Sequence, residues 1–402
     1  MRPLLAGSPR NRQCVRLRDP ETRRVSVLLS APVAAMTGAT IAFLQAQNRF
    51  FIATIGTAII NLVLIFALLI PADADTLLWL AGAILAGALI RWLVQVLAIG
   101  RGAAGGFVLR PWLVDRILLA HFGRTAAAEA VVFFYPFALR AIATLFGVGA
   151  LASVNFATKL VLLPLGVAIM TLTTVLLPRL AGLAPREGQE GDIAGLRRMA
   201  GQGQFWTLVL SAMSAAVLIV HARWLVELAF GWGEIGDAGL RAISLYTAIY
   251  SISLLPMGLN IFLRRVLNTM GDTSAPMIAE ICGFAAFVGG ALAIVALGLP
   301  LEAVLLTAAG GGLVSMSVLL RAPAGKAVRL GERLIRPELW LAVILSGVAT
   351  AAPGLILERV APGHAWLPAI AIAAGGMAGL CAALAVNREA RAAVRTLLPR
   401  RQ

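Results

Sequence analysis

The sequence predicts an all-α, polytopic membrane protein of about eleven transmembrane helices. Three observations carry that expectation. The 402 residues are 60% hydrophobic and only 13% charged, with a mean hydropathy of +0.89, against about 45–50% apolar and about 25% charged in a soluble domain. The apolar residues gather into runs of about 20, the length that crosses a bilayer as a helix. Lysine and arginine fall in alternate connections between those runs rather than evenly along the chain.

The same composition excludes soluble-enzyme chemistry. Cys14, Cys282 and Cys381 lie far apart, as do His121, His221 and His364, so no metal-ligand spacing and no disulfide framework arises. No cofactor is expected. A net charge of +15 would point to nucleic acid in a soluble protein; in a membrane chain it is a positive-inside signature, and no nucleic-acid partner is expected. GAAGG (102–106) lacks the lysine and the strand–helix setting of a phosphate loop, and no ATP-hydrolysing motif is present.

Taken in order, the expected spans cover 26–46, 50–70, 77–99, 122–148, 151–177, 204–222, 240–263, 276–298, 300–320, 338–357 and 366–386. One set of alternate loops, with the C-terminal tail, carries twenty lysines and arginines, among them Arg179, Arg197, Arg198, Arg264, Arg265, Arg329, Arg333 and Arg336; the other set carries only Arg223, Arg241 and Arg359. That asymmetry puts the first set and the C-terminus in the cytoplasm. The outer loops are short and acidic, as in PADADT (71–76) and GWGEIGD (231–237). Eleven spans then place the N-terminus outside, although residues 1–24 hold seven arginines and two acids, a segment that ordinarily stays inside. Thr22-Arg23-Arg24 only faintly resembles a twin-arginine signal.

An internal repeat bears on that conflict. Leu44-Gln45-Ala46-Gln47-Asn48-Arg49 corresponds to Leu267-Asn268-Thr269-Met270-Gly271-Asp272, each a polar turn between two apolar helices. Paired repeats mark transporters, with the substrate site between the halves. Matching the first two spans to the seventh and eighth leaves the first half short of about three helices, on the order of a hundred residues. The expected organisation is a basic segment 1–25, a partial N-lobe 26–116, a C-lobe 117–321, and two further helices with a basic tail over 322–402.

The segment from Leu151 to Leu183 carries the anomaly. Lys159 lies inside an apolar run, with Pro164 and Pro178 beyond it. A mid-bilayer charge costs roughly 2.5–3.5 kcal/mol and normally faces a protein interior or a watery cavity. Arg124, Glu129 and Arg140 fall within the preceding span, and Arg91, near a cytoplasmic end, is expected to snorkel. Glu129 either pairs with Arg124 or a neighbouring helix, or responds to protons. It is the only acid in these two spans, so at least one of Arg140 and Lys159 lacks a local partner. Asn155 shares a helix face with Lys159. It bonds either a ligand or an adjacent helix. Pro136, Pro164, Pro178, Pro256 and Pro276 are hinges, static bends or helix starts.

Val154-Asn155-Phe156-Ala157-Thr158-Lys159-Leu160, Leu163-Pro164-Leu165-Gly166 and Leu176-Leu177-Pro178-Arg179-Leu180 together resemble the eighth-helix signature of the MurJ/MviN family, the lipid II flippases of the MOP superfamily. Residues 44–65 resemble the fourth-to-fifth helix junction of that family, and GDTSAP (271–276) its tenth-to-eleventh. The resemblance runs from about residue 26 to the C-terminus. It implies a two-lobe flippase fold lacking the first three family helices, and with them arginines and an acid that line the family's cavity. Lys159 stands where the family has a cavity arginine. It also implies a non-enzymatic role in peptidoglycan synthesis at the bacterial cytoplasmic membrane: alternating-access transport of a polyprenyl-pyrophosphate glycolipid, foremost lipid II. Membrane lipids and cell-wall synthesis proteins are the other partners it suggests. The substrate-binding residues expected on this reading are Lys159, Arg140, Arg124, Asn155 and Glu129. The alternatives are a flippase for another polyprenyl-linked oligosaccharide and a truncated, non-transporting remnant or scaffold.

Overall fold

The computed structural model describes residues 32–44, 47, 49–70, 76–100, 116–185, 191–360 and 366–386. The basic segment 1–25, the acids of 71–75, the glycine loop 102–106 and the tail from 387 lie outside them. Among the described residues every regular element is a helix. The chain divides into two compact units, Met1–Leu113 and Val114–Gln402.

The first unit contains α1 (Pro32–Leu44), α2 (Phe50–Leu69) and α3 (Thr76–Ile99). Helices α2 and α3 pack against each other at Gly87, where a Cβ would sit in ordinary contact 3.4 Å from the Ile60 backbone. Both ends are tied. Trp79 Nε1 donates to the Ala67 carbonyl at 2.9 Å, and Arg49 donates to the Ala98 carbonyl at 2.7 Å. Thr40 donates to Gln95 Oε1 at 2.7 Å, joining α1 to α3. The Arg91 stem lies against Gly56 of α2, and its Nε is buried without a hydrogen bond among the described residues. The stem therefore packs inward on a glycine.

The second unit runs from α4 (Arg116–Ala143) through α5 (Ala150–Pro164), α6 (Thr171–Leu183), α7 (Ile193–Val220), α8 (Ala222–Phe230), α9 (Asp237–Ser251) and α10 (Leu254–Thr269). It continues with α11 (Ser274–Ala296), α12 (Leu301–Arg321), the short α13 (Pro323–Ala327) and α14 (Leu330–Leu334), then α15 (Pro337–Val360) and α16 (Leu367–Val386). Helix α7 is its axis. Two thirds (67%) of its most apolar stretch is buried, more than in any other candidate span. Leu208 and Val209 of α7 pack with Leu259, Phe262 and Leu263 of α10 in the largest apolar cluster. Gly203 makes room for Phe262, whose ring would meet a Cβ there at 2.1 Å.

Helix breaks follow the residue chemistry. Gly147 and Gly149 take left-handed φ values of 98° and 88° and separate α4 from α5. A proline lacks an N–H and its ring clashes with the carbonyl four residues back. Pro164 therefore disturbs Leu160, and the chain continues as a π turn, Leu165–Met170, before α6. Pro256 disturbs Ile252, and there α9 and α10 meet at a 47° bend. Pro276 starts α11 at its third residue, where a missing N–H costs nothing. Pro136 and Pro178 stay inside continuous helices.

Among the described residues, eight helices are long and apolar enough to cross a membrane, and the bent α9–α10 pair would make a ninth. Pro32–Leu44 and Ile55–Leu69, at the positions of the first two expected spans, are shorter, so the expected count of eleven is not established. The sixth span departs from 204–222. Helix α7 starts at Ile193, because Asp192 caps it by accepting the Gly195 N–H at 2.7 Å.

The repeated turns share their backbone closure. Arg49 N bonds Leu44 O at 2.9 Å, and the corresponding Asp272 N bonds Leu267 O at 3.1 Å. Gln47 N bonds Phe43 O and Met270 N bonds Val266 O, again in corresponding places. Leu44 and Leu267 are both fully buried. Gly271, at φ 79°, makes the second turn, and Asp272 then accepts the Ala275 N–H at 3.0 Å to open α11.

At the other end of the second unit, Arg223 of α8 bonds Glu227 at 2.5 Å and also Asp237, which holds Arg241 at 2.7 Å. Hydrogen bonding to Asp237, with Glu227 adding to it, raises Arg223 above its ordinary range. Arg329, ahead of α14, is the one non-glycine residue at positive φ (53°) among the described residues. Such a conformation costs on the order of 1–3 kcal/mol and persists only where neighbours enforce it.

Candidate functional site

Helix α5 presents Lys159 on an exposed face, ten residues after Gly149 opens the helix. Its Nζ lies 5.8 Å from the centre of the Phe156 ring, which packs on Phe230 at 4.7 Å. Among the described residues no carboxylate comes within ion-pair range of it. Asn155 is half-buried one turn earlier. On α4, Arg140 is half-buried with its guanidinium 5.9 Å from the Phe137 ring centre. A cation over an aromatic face is attracted by the ring quadrupole, by about 0.5–1 kcal/mol where water has access. That weak contact leaves both cations able to meet an anion.

Arg140 and Lys159 flank the same glycine break. At a rise of about 1.5 Å per residue they lie at similar depth, roughly 11–15 Å from it along their helices. Arg124 sits on an exposed face sixteen residues before Arg140, roughly 24 Å away along α4. It belongs to the opposite end. None of the five expected residues bonds another among the described residues. Arg140, Lys159 and Asn155 share a depth; Arg124 does not.

Glu129 pairs with a neighbouring helix. Its carboxylate accepts from Arg264 of α10 at 3.2 Å, not from Arg124. Arg264 also lies 3.3 Å from Glu280 of α11, so one guanidinium bridges three helices. The aromatic ring of Tyr135 (α4) packs on Phe284 and Phe287 of α11 beside this group. Its hydroxyl oxygen would lie 2.9 Å from a Cβ at Gly283.

The sequence reading missed this ionic group. Arg264 and Arg265 counted as loop charges beyond a span ending at 263. They are helical, because buried Val266 and Leu267 carry α10 to Thr269. Arg264 is 12% exposed and Glu280 8%. Glu280 was legible as an acid four residues past Pro276 inside an apolar span. Removing Arg264 from the loop tally leaves the charge asymmetry standing.

The family model described as "Lipid II flippase MurJ" matches residues 19–386. The chain belongs to the MurJ family. A curated MurJ relative, "Probable lipid II flippase MurJ" of Rhizobium meliloti (strain 1021), is 34% identical over 106 residues. That match covers 26% of this chain and 19% of the relative, so it spans about a fifth of the curated protein. A solved MurJ structure, "Lipid II flippase MurJ, inward closed conformation", superposes with a TM-score of 0.64 at 15% identity, covering 92% of this chain and 74% of that one. The MurJ likeness shows the fold, and with the apolar helices it makes the chain a multi-pass membrane protein. The eighth-helix resemblance read from 153–181 is thereby placed in a MurJ-family chain.

Proposed function

We propose that this protein moves a polyprenyl-pyrophosphate-linked glycan, lipid II foremost, across the bacterial cytoplasmic membrane by alternating access, with its C-terminus in the cytoplasm. The observation that carries the reading is Lys159, an exposed cation within a membrane span that no carboxylate neutralises among the described residues. A charge of that kind needs water or an anion to offset its insertion cost of roughly 2.5–3.5 kcal/mol. A pyrophosphate is such an anion. Arg140 at similar depth supplies a second cation, and Asn155 supplies an amide for the headgroup. The polyprenyl tail stays in lipid and needs no polar path. No bond is made or broken, so the role is that of a carrier and not an enzyme.

Membership of the MurJ family supports the substrate class. The test is rescue: expressing the protein in cells depleted of their lipid II flippase restores growth and outer-leaflet lipid II. Failure of a membrane-inserted protein to restore either overturns the reading.

A further inference from the structure

We propose that the recess between the start of α7 and the α13–α15 connection binds a multiply charged phosphate group. The recess holds about 870 Å³ and is lined by Arg197, Arg198, Arg329, Arg333 and Arg336, with Glu332 the only acid among its described lining residues. It is separate from Lys159, which does not line it.

The recess is built on fixed points. Gln204 of α7 donates to the Leu330 carbonyl at 3.1 Å. Val328 and Leu330 are both buried, and between them the backbone turns left-handed at Arg329. Arg333 lies over Gly201 of α7, where a Cβ would come within 2.1 Å of its Nε. Arg197 bonds Glu332 at 2.5 Å, and Arg329 approaches the same carboxylate at 3.4 Å. That one acid is shared by two arginines. Neither Arg198 nor Arg336 has a carboxylate in ion-pair range among the described residues.

The plain alternative is a solvated positive-inside surface. Arginines with that role alone spread their charges into water, because like charges repel. Here, among the described residues, Arg198 and Arg336 converge on one recess with no carboxylate in ion-pair range, beside Arg197 and Arg329, which share a single carboxylate. Phosphate fits the surplus: guanidinium forks match pairs of phosphate oxygens and bind them as charge-assisted hydrogen bonds. The phosphate comes either from an anionic lipid headgroup at the membrane surface or from a soluble phosphate compound.

The test uses the full chain in phosphatidylcholine nanodiscs. Inorganic diphosphate is titrated by calorimetry, and retention of phosphatidylglycerol over phosphatidylcholine is counted by native mass spectrometry. Diphosphate binding identifies a soluble source; selective phosphatidylglycerol retention identifies a lipid source; either supports the site. The double variant Arg198→Gln/Arg336→Gln weakens whichever ligand binds by roughly tenfold or more, and Arg241→Gln, at the other end of the unit, leaves it unchanged. Glu332→Gln removes the competing carboxylate and tightens binding severalfold, an effect that misfolding cannot mimic. The proposal is overturned if neither ligand binds, if the double variant binds as the wild type does, or if Glu332→Gln binds no more tightly.

Discussion

Arg264 and Glu280 face each other across the α10–α11 interface at 3.3 Å, both nearly sealed from solvent. The approach is that of an ion pair without hydrogen-bond alignment, for Arg264 Nε makes no hydrogen bond among the described residues. Removing one partner strands the other charge, which costs about 3–5 kcal/mol, whereas replacing both by apolar residues is far milder. Arg264→Leu is therefore expected to lower the melting temperature of the purified protein sharply, and Arg264→Leu/Glu280→Leu to recover most of the loss. A double variant no more stable than the single one would remove the pair from any account of how α10 and α11 are held.

Lys159 calls for the opposite pattern. Its side chain is exposed and lacks a carboxylate partner among the described residues, so Lys159→Ala is expected to change stability by less than about 0.5 kcal/mol. Rescue of flippase-depleted cells is nonetheless expected to be abolished. Lys159→Arg keeps the charge and adds a fork suited to phosphate, and it is expected to rescue. Normal rescue by Lys159→Ala, at matched membrane levels, would take Lys159 out of the transport path.

Two neighbouring glycines of α16 separate packing from propensity. A Cβ at Gly375 would come within 2.2 Å of the Thr350 carbonyl of α15, while one at Gly376 would meet nothing within 4 Å. Gly375→Ala must push the helices apart and is expected to cost about 1–3 kcal/mol. Gly376→Ala is expected to be neutral or slightly stabilising. Thermal unfolding of the two variants side by side checks this, and equal melting temperatures would mean that α15 and α16 do not pack through Gly375.

The charge asymmetry gives an expected orientation that labelling can test. In a background with Cys14, Cys282 and Cys381 replaced by serine, Glu234→Cys is expected to react with a membrane-impermeant maleimide in intact cells. Arg336→Cys is expected to react only after permeabilisation. The reverse pattern would invert the topology, and with it the cytoplasmic assignment of the C-terminus.

Much of the fold was legible because a bilayer allows few solutions. Apolar runs of the right length gave most helices of the second unit within a few residues. The repeated turn was legible from six residues, since Leu44 and Leu267 close it with corresponding backbone bonds. Helix ends were less so. The start of α7 at Ile193 depends on the Asp192 cap, and the end of α10 on buried Val266 and Leu267, whereas hydropathy registers only where the lipid stops. Lys159 could be singled out because it is a lone charge in an apolar run. The Arg264–Glu280 pair could not be assembled, because its members are sixteen residues apart on different helices and only packing brings them together.

The π turn at Leu165–Met170 has a consequence for comparing relatives. A π turn accommodates one residue more than an α-helical path through the same space, and one residue amounts to about 100° of rotation. A relative that runs straight through this point therefore carries one residue fewer between Leu160 and Thr173. A gap opened anywhere else in that stretch puts one flank out of phase, and conservation scored from such an alignment would set Lys159 or Thr173 against positions on the wrong side of the helix.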